Sequence, residues 1–154
     1  MLGTPCAILS VHMSNSKRAG EKILVADDDL FYREMVSSHL ESIGFTVVKA
    51  HSGSIALKHL QSHERYALAV LDIFMGGKNG IEVLESFKRS VDLCELDDVP
   101  VIAMTSDDSE TTEFRARAAR ASVFLLKPFT KEALTEAVEQ LVRDSVDRCP
   151  LDRI

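Results

Sequence analysis

The sequence predicts an α/β fold built on one doubly wound, five-stranded parallel sheet flanked by five helices. Short, almost purely apolar runs recur along the chain, as strands buried on both faces require. Between those runs the apolar residues move to helical spacing, which is the signature of successive βα units. A length of 154 residues, 45% of them apolar, suffices for one core, and no change of composition after Asn79-Gly80 marks a linker.

The elements follow in order. The first strand is expected over Ile23 to Ala26. A helix follows with Phe31, Met35, Val36, Leu40 and Ile43 on one stripe, closed by Gly44 as its C-cap. The second strand runs from Thr46 to Ala50, and Ser52 caps a second helix that carries Ile55, Ala56 and Leu60. The third strand is Leu68 to Leu71, and its helix starts near Gly80 and continues through Ile81, Leu84 and Phe87. Val99 to Met104 forms the fourth strand, with a helix from about Ser109. Val123 to Leu126 forms the fifth, with a last helix after Thr130 that turns Leu134, Val138 and Leu141 inward. Residues 21–143 form the domain, 1–20 a disordered leader in which Met13 is an alternative start, and 144–154 a short tail.

Charge and composition exclude several classes of function. Eighteen Lys plus Arg against twenty-four Asp plus Glu give a formal charge of -6, so neither direct nucleic-acid binding nor adhesion to an anionic membrane follows from bulk charge. The longest apolar run, Tyr66 to Leu71, falls far short of the roughly 20 residues a membrane span needs. Cys6, Cys94 and Cys149 are odd in number and widely spaced, which suits a reducing cytoplasm better than a disulfide framework.

Right-handed crossovers put helices on both faces of such a sheet and leave its sites beyond the carboxyl ends of the strands. Those ends carry chemistry. Asp27-Asp28-Asp29 closes the first strand and Asp72 the third, bringing three or four carboxylates to one crevice. Two unit charges about 4 Å apart repel by roughly 4 kcal/mol at a protein surface, so a cation is required or the carboxyls must hold protons. A small set of carboxylates beside open water positions suits Mg²⁺. An isolated acidic run would be read as a helix cap; the partner Asp72 favours the cation. Thr105 and Lys127 end the fourth and fifth strands and add a hydroxyl and an ammonium. Metal-binding acids, a lone carboxylate, a hydroxyl and a lysine together are what phosphoryl transfer uses.

The segments Ile23–Asp29, Leu71–Met75 with Asn79-Gly80, Val101–Ser106 and Phe124–Phe129 resemble the receiver domain of two-component response regulators, over roughly Glu21 to Val142. The resemblance implies a flavodoxin-like sheet of order 2-1-3-4-5. It implies Asp72 as acceptor of a phosphoryl group from the phosphohistidine of a histidine kinase or histidine phosphotransfer protein. Asp27, Asp28, Asp72 and the backbone carbonyl of Phe74 would bind Mg²⁺ or Mn²⁺. Thr105 would be the switch hydroxyl, Lys127 the lysine that pairs with the phosphoryl group, and Phe124 the aromatic switch, with Lys127-Pro128 cis. The output face of fourth helix, fifth strand and fifth helix would then dock an unidentified protein target, the chain being a monomer or a weak phosphorylation-dependent dimer. The implied role is a signalling switch and not an enzyme, although self-phosphorylation and autodephosphorylation with Mg²⁺ would accompany it.

Some positions depart from that pattern. Gly76-Gly77 stands where relatives commonly have Pro, predicting a more mobile loop. Arg120 replaces a glycine that often ends the fourth helix, so the usual left-handed cap is expected to be replaced. Phe74 and Asp107 flank the site where relatives tune hydrolysis. His59 and His63, four apart on the second helix, read as a solvated face and not as metal ligands. Arg115, Arg117 and Arg120 form a basic cluster that is either solvated or a dock for an acidic partner. The competing functions are a degenerate receiver used only for protein contact and an Asp-nucleophile phosphatase. The phosphatase would want a general acid where Phe74 stands.

Overall fold

The computed structural model describes residues 20–147, so Cys6, Cys149, the expected leader up to residue 19 and the tail beyond 147 lie outside the described residues. Ten elements alternate: β1 (Lys22–Ala26), α1 (Leu30–Ser42), β2 (Thr46–Ala50), α2 (Gly53–Gln61), β3 (Leu68–Asp72), α3 (Gly80–Asp92), β4 (Val101–Thr105), α4 (Glu110–Ala118), β5 (Val123–Leu126) and α5 (Lys131–Asp147). All four strand pairings are parallel, in the order β2-β1-β3-β4-β5, as expected.

Alternation along the strands divides the core in two. Leu24, Ala26, Ala69, Leu71 and Ala103 face α2, α3 and α4, where Ala56, Leu60, Leu84, Phe87 and Ala116 cover them. Ile23, Val25, Leu68, Val70, Ile102 and Met104 face α1 and α5, covered by Val36, Leu40, Leu134 and Val138. The inner strands β3 and β4 are buried at every position, whereas β2 and β5 at the edges are only partly so. The continuous-apolar reading therefore holds for the centre of the sheet and weakens at its margins.

The cap expected at Ser52 is in place, and Asp29, Asn79 and Ser109 prove to be caps as well. Asp29, Ser52, Asn79 and Ser109 each accept a backbone N–H near the start of their helices, which satisfies donors that a first turn otherwise leaves open. Gly44 ends the first helix at φ +105°. Gly80 is required by closeness: a Cβ there would lie 2.3 Å from the carbonyl oxygen of Asp72, so glycine lets α3 start against the end of β3.

Three expectations need correction. Phe31 is not on the buried stripe of α1 but 69% exposed beside the exposed Leu30, and the stripe that meets the core starts at Met35 and Val36. His63 is not helical: α2 stops at Gln61, Ser62 is already extended, and the two histidines share no helix face. Arg120 is not a replacement for the left-handed cap but adopts it, at φ +70°. Ala121 N–H bonds Ala116 O and Arg120 N–H bonds Arg117 O, the paired hydrogen bonds of a Schellman ending. The Arg120 guanidinium offsets the strain by gripping both Asp92 oxygens, at 3.0 and 3.1 Å, and the Lys88 carbonyl.

Candidate functional site

Sheet register alone assembles the site. Ala26 pairs with Leu71 across β1 and β3, so Asp27 and Asp72 follow side by side. Asp72 pairs with Met104, and Thr105 pairs with Leu126, which brings Thr105 and Lys127 to the same end of the sheet. Backbone hydrogen bonds carry the ladder on through these residues: Asp27 N–H to Ala50 O, Ile73 N–H to Met104 O, and Lys127 N–H to Thr105 O at 2.7 Å. The chemical groups thus stand on a rigid edge and not on free loops.

Asp27, Asp28 and Asp72 each offer a carboxylate oxygen, and these atoms lie within 4.8 Å of one another. Asp27 and Asp72 are buried; Asp28 is exposed and opens the cluster to solvent. Lys127 reaches in from β5, its Nζ 2.7 Å from Asp27 Oδ2 and 3.4 Å from Asp72 Oδ2. One ammonium among three carboxylates leaves negative charge in excess. Burial, and next the field of Asp27, push the Asp72 carboxyl up to about 7 despite the opposing pull of Lys127. For Lys127, burial works against the charged form, but the hydrogen bond to Asp27 and the fields of Asp72 and Asp27 outweigh it and hold its pKa above the ordinary value.

Backbone donors orient the acids. Asp29 N–H bonds Asp27 Oδ1 at 2.9 Å, and Phe74 N–H bonds Asp72 Oδ1 at 3.3 Å. Gly76 N–H bonds Asp28 Oδ2 at 3.1 Å, a bond that proline at this position has no N–H to make. The glycine expected to loosen the loop therefore also ties it to the acidic cluster. Thr105 is fully buried, and its hydroxyl accepts the Asp107 N–H at 3.0 Å. The Asp107 carboxylate turns away to the start of α4, where it accepts from the Ser109 N–H and from the Ser109 and Thr112 hydroxyls. Those bonds, that of Thr112 foremost, hold its pKa below the usual carboxylate range. Phe124 is half-buried against the core that includes Ala103 and Ala116, and Phe74 is 52% exposed beside the crevice. The Lys127-Pro128 bond is cis.

Register brings Asp27, Asp28, Asp72, Thr105 and Lys127 to one end of the sheet, while Phe124 lies a step back along β5. Sequence reasoning missed Tyr32, whose ring covers the Lys127 ammonium with its centroid 4.1 Å from Nζ. It also missed Arg33, which donates to the Asp27 carbonyl at 2.9 Å. The aromatic pair Phe31-Tyr32, separated from the acidic run by Leu30 alone, was the available signal. Of the basic cluster, Arg117 on α4 pairs with Glu113, and Arg120, just past the helix, pairs with Asp92, both at the surface.

Fold and site together define a doubly wound α/β protein with an acidic crevice of the kind that takes a divalent cation. The model of the response regulator receiver domain family matches residues 23–139. The chain belongs to that family. It is similar to the response regulator MprA of Mycobacterium ulcerans, 35% identical over 122 residues that make up 79% of this chain and 50% of the relative. It is also similar to a transcriptional regulatory protein CpxR homolog of Haemophilus influenzae, 32% identical over 80% of this chain and 51% of that protein. The chain spans about half the length of these curated relatives. Among solved structures it resembles the Vibrio cholerae chemotaxis protein CheY4, at TM-score 0.71 and 27% identity over 80% of this chain and 99% of that one. The receiver domain of the Francisella response regulator 1452 matches at TM-score 0.73 and 26% identity, over 81% of this chain and 98% of its own.

Proposed function

We propose that this chain is a phosphorylation-operated switch in a two-component system or phosphorelay, with Asp72 as the phosphoacceptor. The observation that carries the reading is the cluster of Asp27, Asp28 and Asp72 with Lys127 bridging Asp27 and Asp72.

The donor set fits a hard divalent cation: three carboxylates, one facing solvent, and too little positive charge among them. Asp27, Asp28, Asp72 and the Phe74 carbonyl would hold Mg²⁺ or Mn²⁺, which when bound screens the repulsion between the carboxylate and the incoming phosphoryl oxygens. The rest falls to the chain's own residues. An Asp72 oxygen forms a bond to phosphorus as the P–N bond of the donor phosphohistidine breaks. The imidazole leaves with the electron pair and takes a proton from solvent. Lys127 keeps its protons and turns from Asp27 toward the new phosphoryl oxygens.

Thr105 is placed to report the change. Its hydroxyl accepts the Asp107 N–H, so a shift of Thr105 toward the phosphoryl group pulls on Asp107, which in turn holds the capping Ser109 and Thr112 at the start of α4. Space vacated by Thr105 admits Phe124, and the start of α4 loosens with it. The output face of α4, β5 and α5 is then read by a protein target. Residues 21–143 constitute the switch, working in the cytoplasm as a monomer or a weak phosphorylation-dependent dimer.

Intact-mass spectrometry after incubation with acetyl phosphate and Mg²⁺ tests the reading. The wild type gains one phosphoryl mass, EDTA prevents the gain, and Asp72→Asn gains none. A wild type that stays unmodified would leave only the protein-contact reading.

A further inference from the structure

Tyr32 lies in the first turn of α1, and the phosphoryl-transfer chemistry above does not use it. Its ring centroid is 4.1 Å from Lys127 Nζ. The same ammonium meets Asp27 Oδ2 at 2.7 Å and Asp72 Oδ2 at 3.4 Å, so carboxylates and an aromatic face together surround it. The ring is itself held in place. It packs edge-on to Phe31 at 5.7 Å and tilted to Phe129 at 6.3 Å, and Phe129 belongs to the segment that follows Lys127. The Lys127 side chain is only 8% exposed.

An aromatic face attracts an ammonium through its quadrupole without demanding the directed geometry of a hydrogen bond. A lysine held by carboxylates alone would be fixed on Asp27, its nearer partner. A lysine backed by a ring is kept in the crevice while remaining free to change carboxylates. We propose that Tyr32 is a positioning residue for phosphoryl transfer, its ring confining the Lys127 ammonium beside Asp72 while the ammonium turns from Asp27 to the phosphoryl oxygens. The proposal rests on Asp72 being the phosphoacceptor. With acetyl phosphate as donor, the Asp72 O–P bond forms as the acetyl O–P bond breaks, acetate leaves with the electron pair, and neither Lys127 nor Tyr32 gives up a proton.

The test compares full-length wild type, Tyr32→Phe and Tyr32→Leu in the acetyl phosphate reaction at saturating Mg²⁺, followed by intact mass. The maximal rate, the half-saturating acetyl phosphate and the half-saturating Mg²⁺ are read for each, with urea unfolding as a check of the fold. Tyr32→Phe keeps the ring and is expected within about twofold of wild type, whereas Tyr32→Leu loses about five- to tenfold in maximal rate. Half-saturating Mg²⁺ stays unchanged in both, since Tyr32 touches none of the carboxylates. Tyr32→Met gives a second ring-free reading should Tyr32→Leu fail to fold. A wild-type rate in a folded ring-free variant overturns the proposal, as does a Tyr32→Phe rate as low as that of Tyr32→Leu, which would make the hydroxyl and not the ring the active part. A wild type that gains no phosphoryl mass would instead remove the reading of Asp72.

Discussion

The two ends of the sheet each bury a lysine against acid, and they do so to opposite effect. Before β4, Lys88 has a side chain 6% exposed and meets Asp98 at 2.5 Å and the Val99 carbonyl at 3.1 Å. Asp98 is itself 56% exposed, so one cation answers one solvated carboxylate and a peptide dipole. After β5, Lys127 is as deeply buried, yet it faces Asp27 and Asp72, whose side chains are 0% and 7% exposed, with Asp28 alongside. The first arrangement is balanced and holds the α3–β4 connection in place. The second carries a surplus of negative charge that folding alone does not relieve. A buried lysine is thus no sign of chemistry by itself; the sign is the charge left over around it.

Exchanging the two lysines in turn breaks the comparison most sharply. Lys127→Met should slow phosphorylation of Asp72 by about 100-fold or more, the scale on which a removed transition-state donor acts. Lys88→Met should leave that rate within about twofold, since no group at its end of the sheet touches the crevice. Time courses of phosphoryl incorporation decide between the two, and equal losses would dissolve the distinction.

Stability should respond in the other sense. Lys88→Met leaves the Val99 carbonyl without its donor and Asp98 with only the Val99 N–H in place of its cation, a loss of about 1–2 kcal/mol in urea unfolding. At the site, Asp72 titrates near 7 in the fold against an ordinary value of 3.8. The native state therefore holds a proton that the unfolded chain releases across this interval. The Asp72 contribution to metal-free stability is fully present below the lower value and is lost as pH rises through the window to the upper one. Asp72→Asn should flatten that slope and gain about 2 kcal/mol at pH 8, after discount for the open side of the crevice. Saturating Mg²⁺ should flatten it as well. A wild type whose metal-free stability rises between pH 4 and 7 more than that of Asp72→Asn would contradict the charge surplus.

The smallest effect belongs to Arg120. Glycine relieves a left-handed backbone but forfeits the exposed pair with Asp92 and the bond to the Lys88 carbonyl, so Arg120→Gly should stabilise by only about 0.5 kcal/mol without altering phosphorylation. Destabilisation in the same urea experiment would mean that the ion pair outweighs the strain.

The sequence made the chemistry more legible than its supports. Asp27, Asp28, Asp72, Thr105 and Lys127 all follow apolar runs, and parallel winding sends the ends of such runs to one edge whatever the details of packing. The cap at Ser52 and the approximate helix starts near Gly80 and Ser109 were legible too, because a helix start depends on neighbours only a few residues away. Tyr32 was not, since its partner Lys127 comes from the other end of the domain and no periodicity marks a ring for an ammonium. Nor was the Gly76 amide bond to Asp28: glycine advertises freedom, and only the folded loop shows where its N–H points. Arg120 misled for a related reason, because the backbone angle expected of glycine was kept and a side chain made to bear it.

Calorimetric titration of the metal-free protein with Mg²⁺ in buffers of different ionisation enthalpy tests the charge surplus most directly. Wild type should bind a single Mg²⁺ and release part of a proton near pH 7, less at pH 8.5, while Asp27→Asn/Asp28→Asn should show no saturable heat. Equal binding by that double variant, or none by the wild type, would contradict the account.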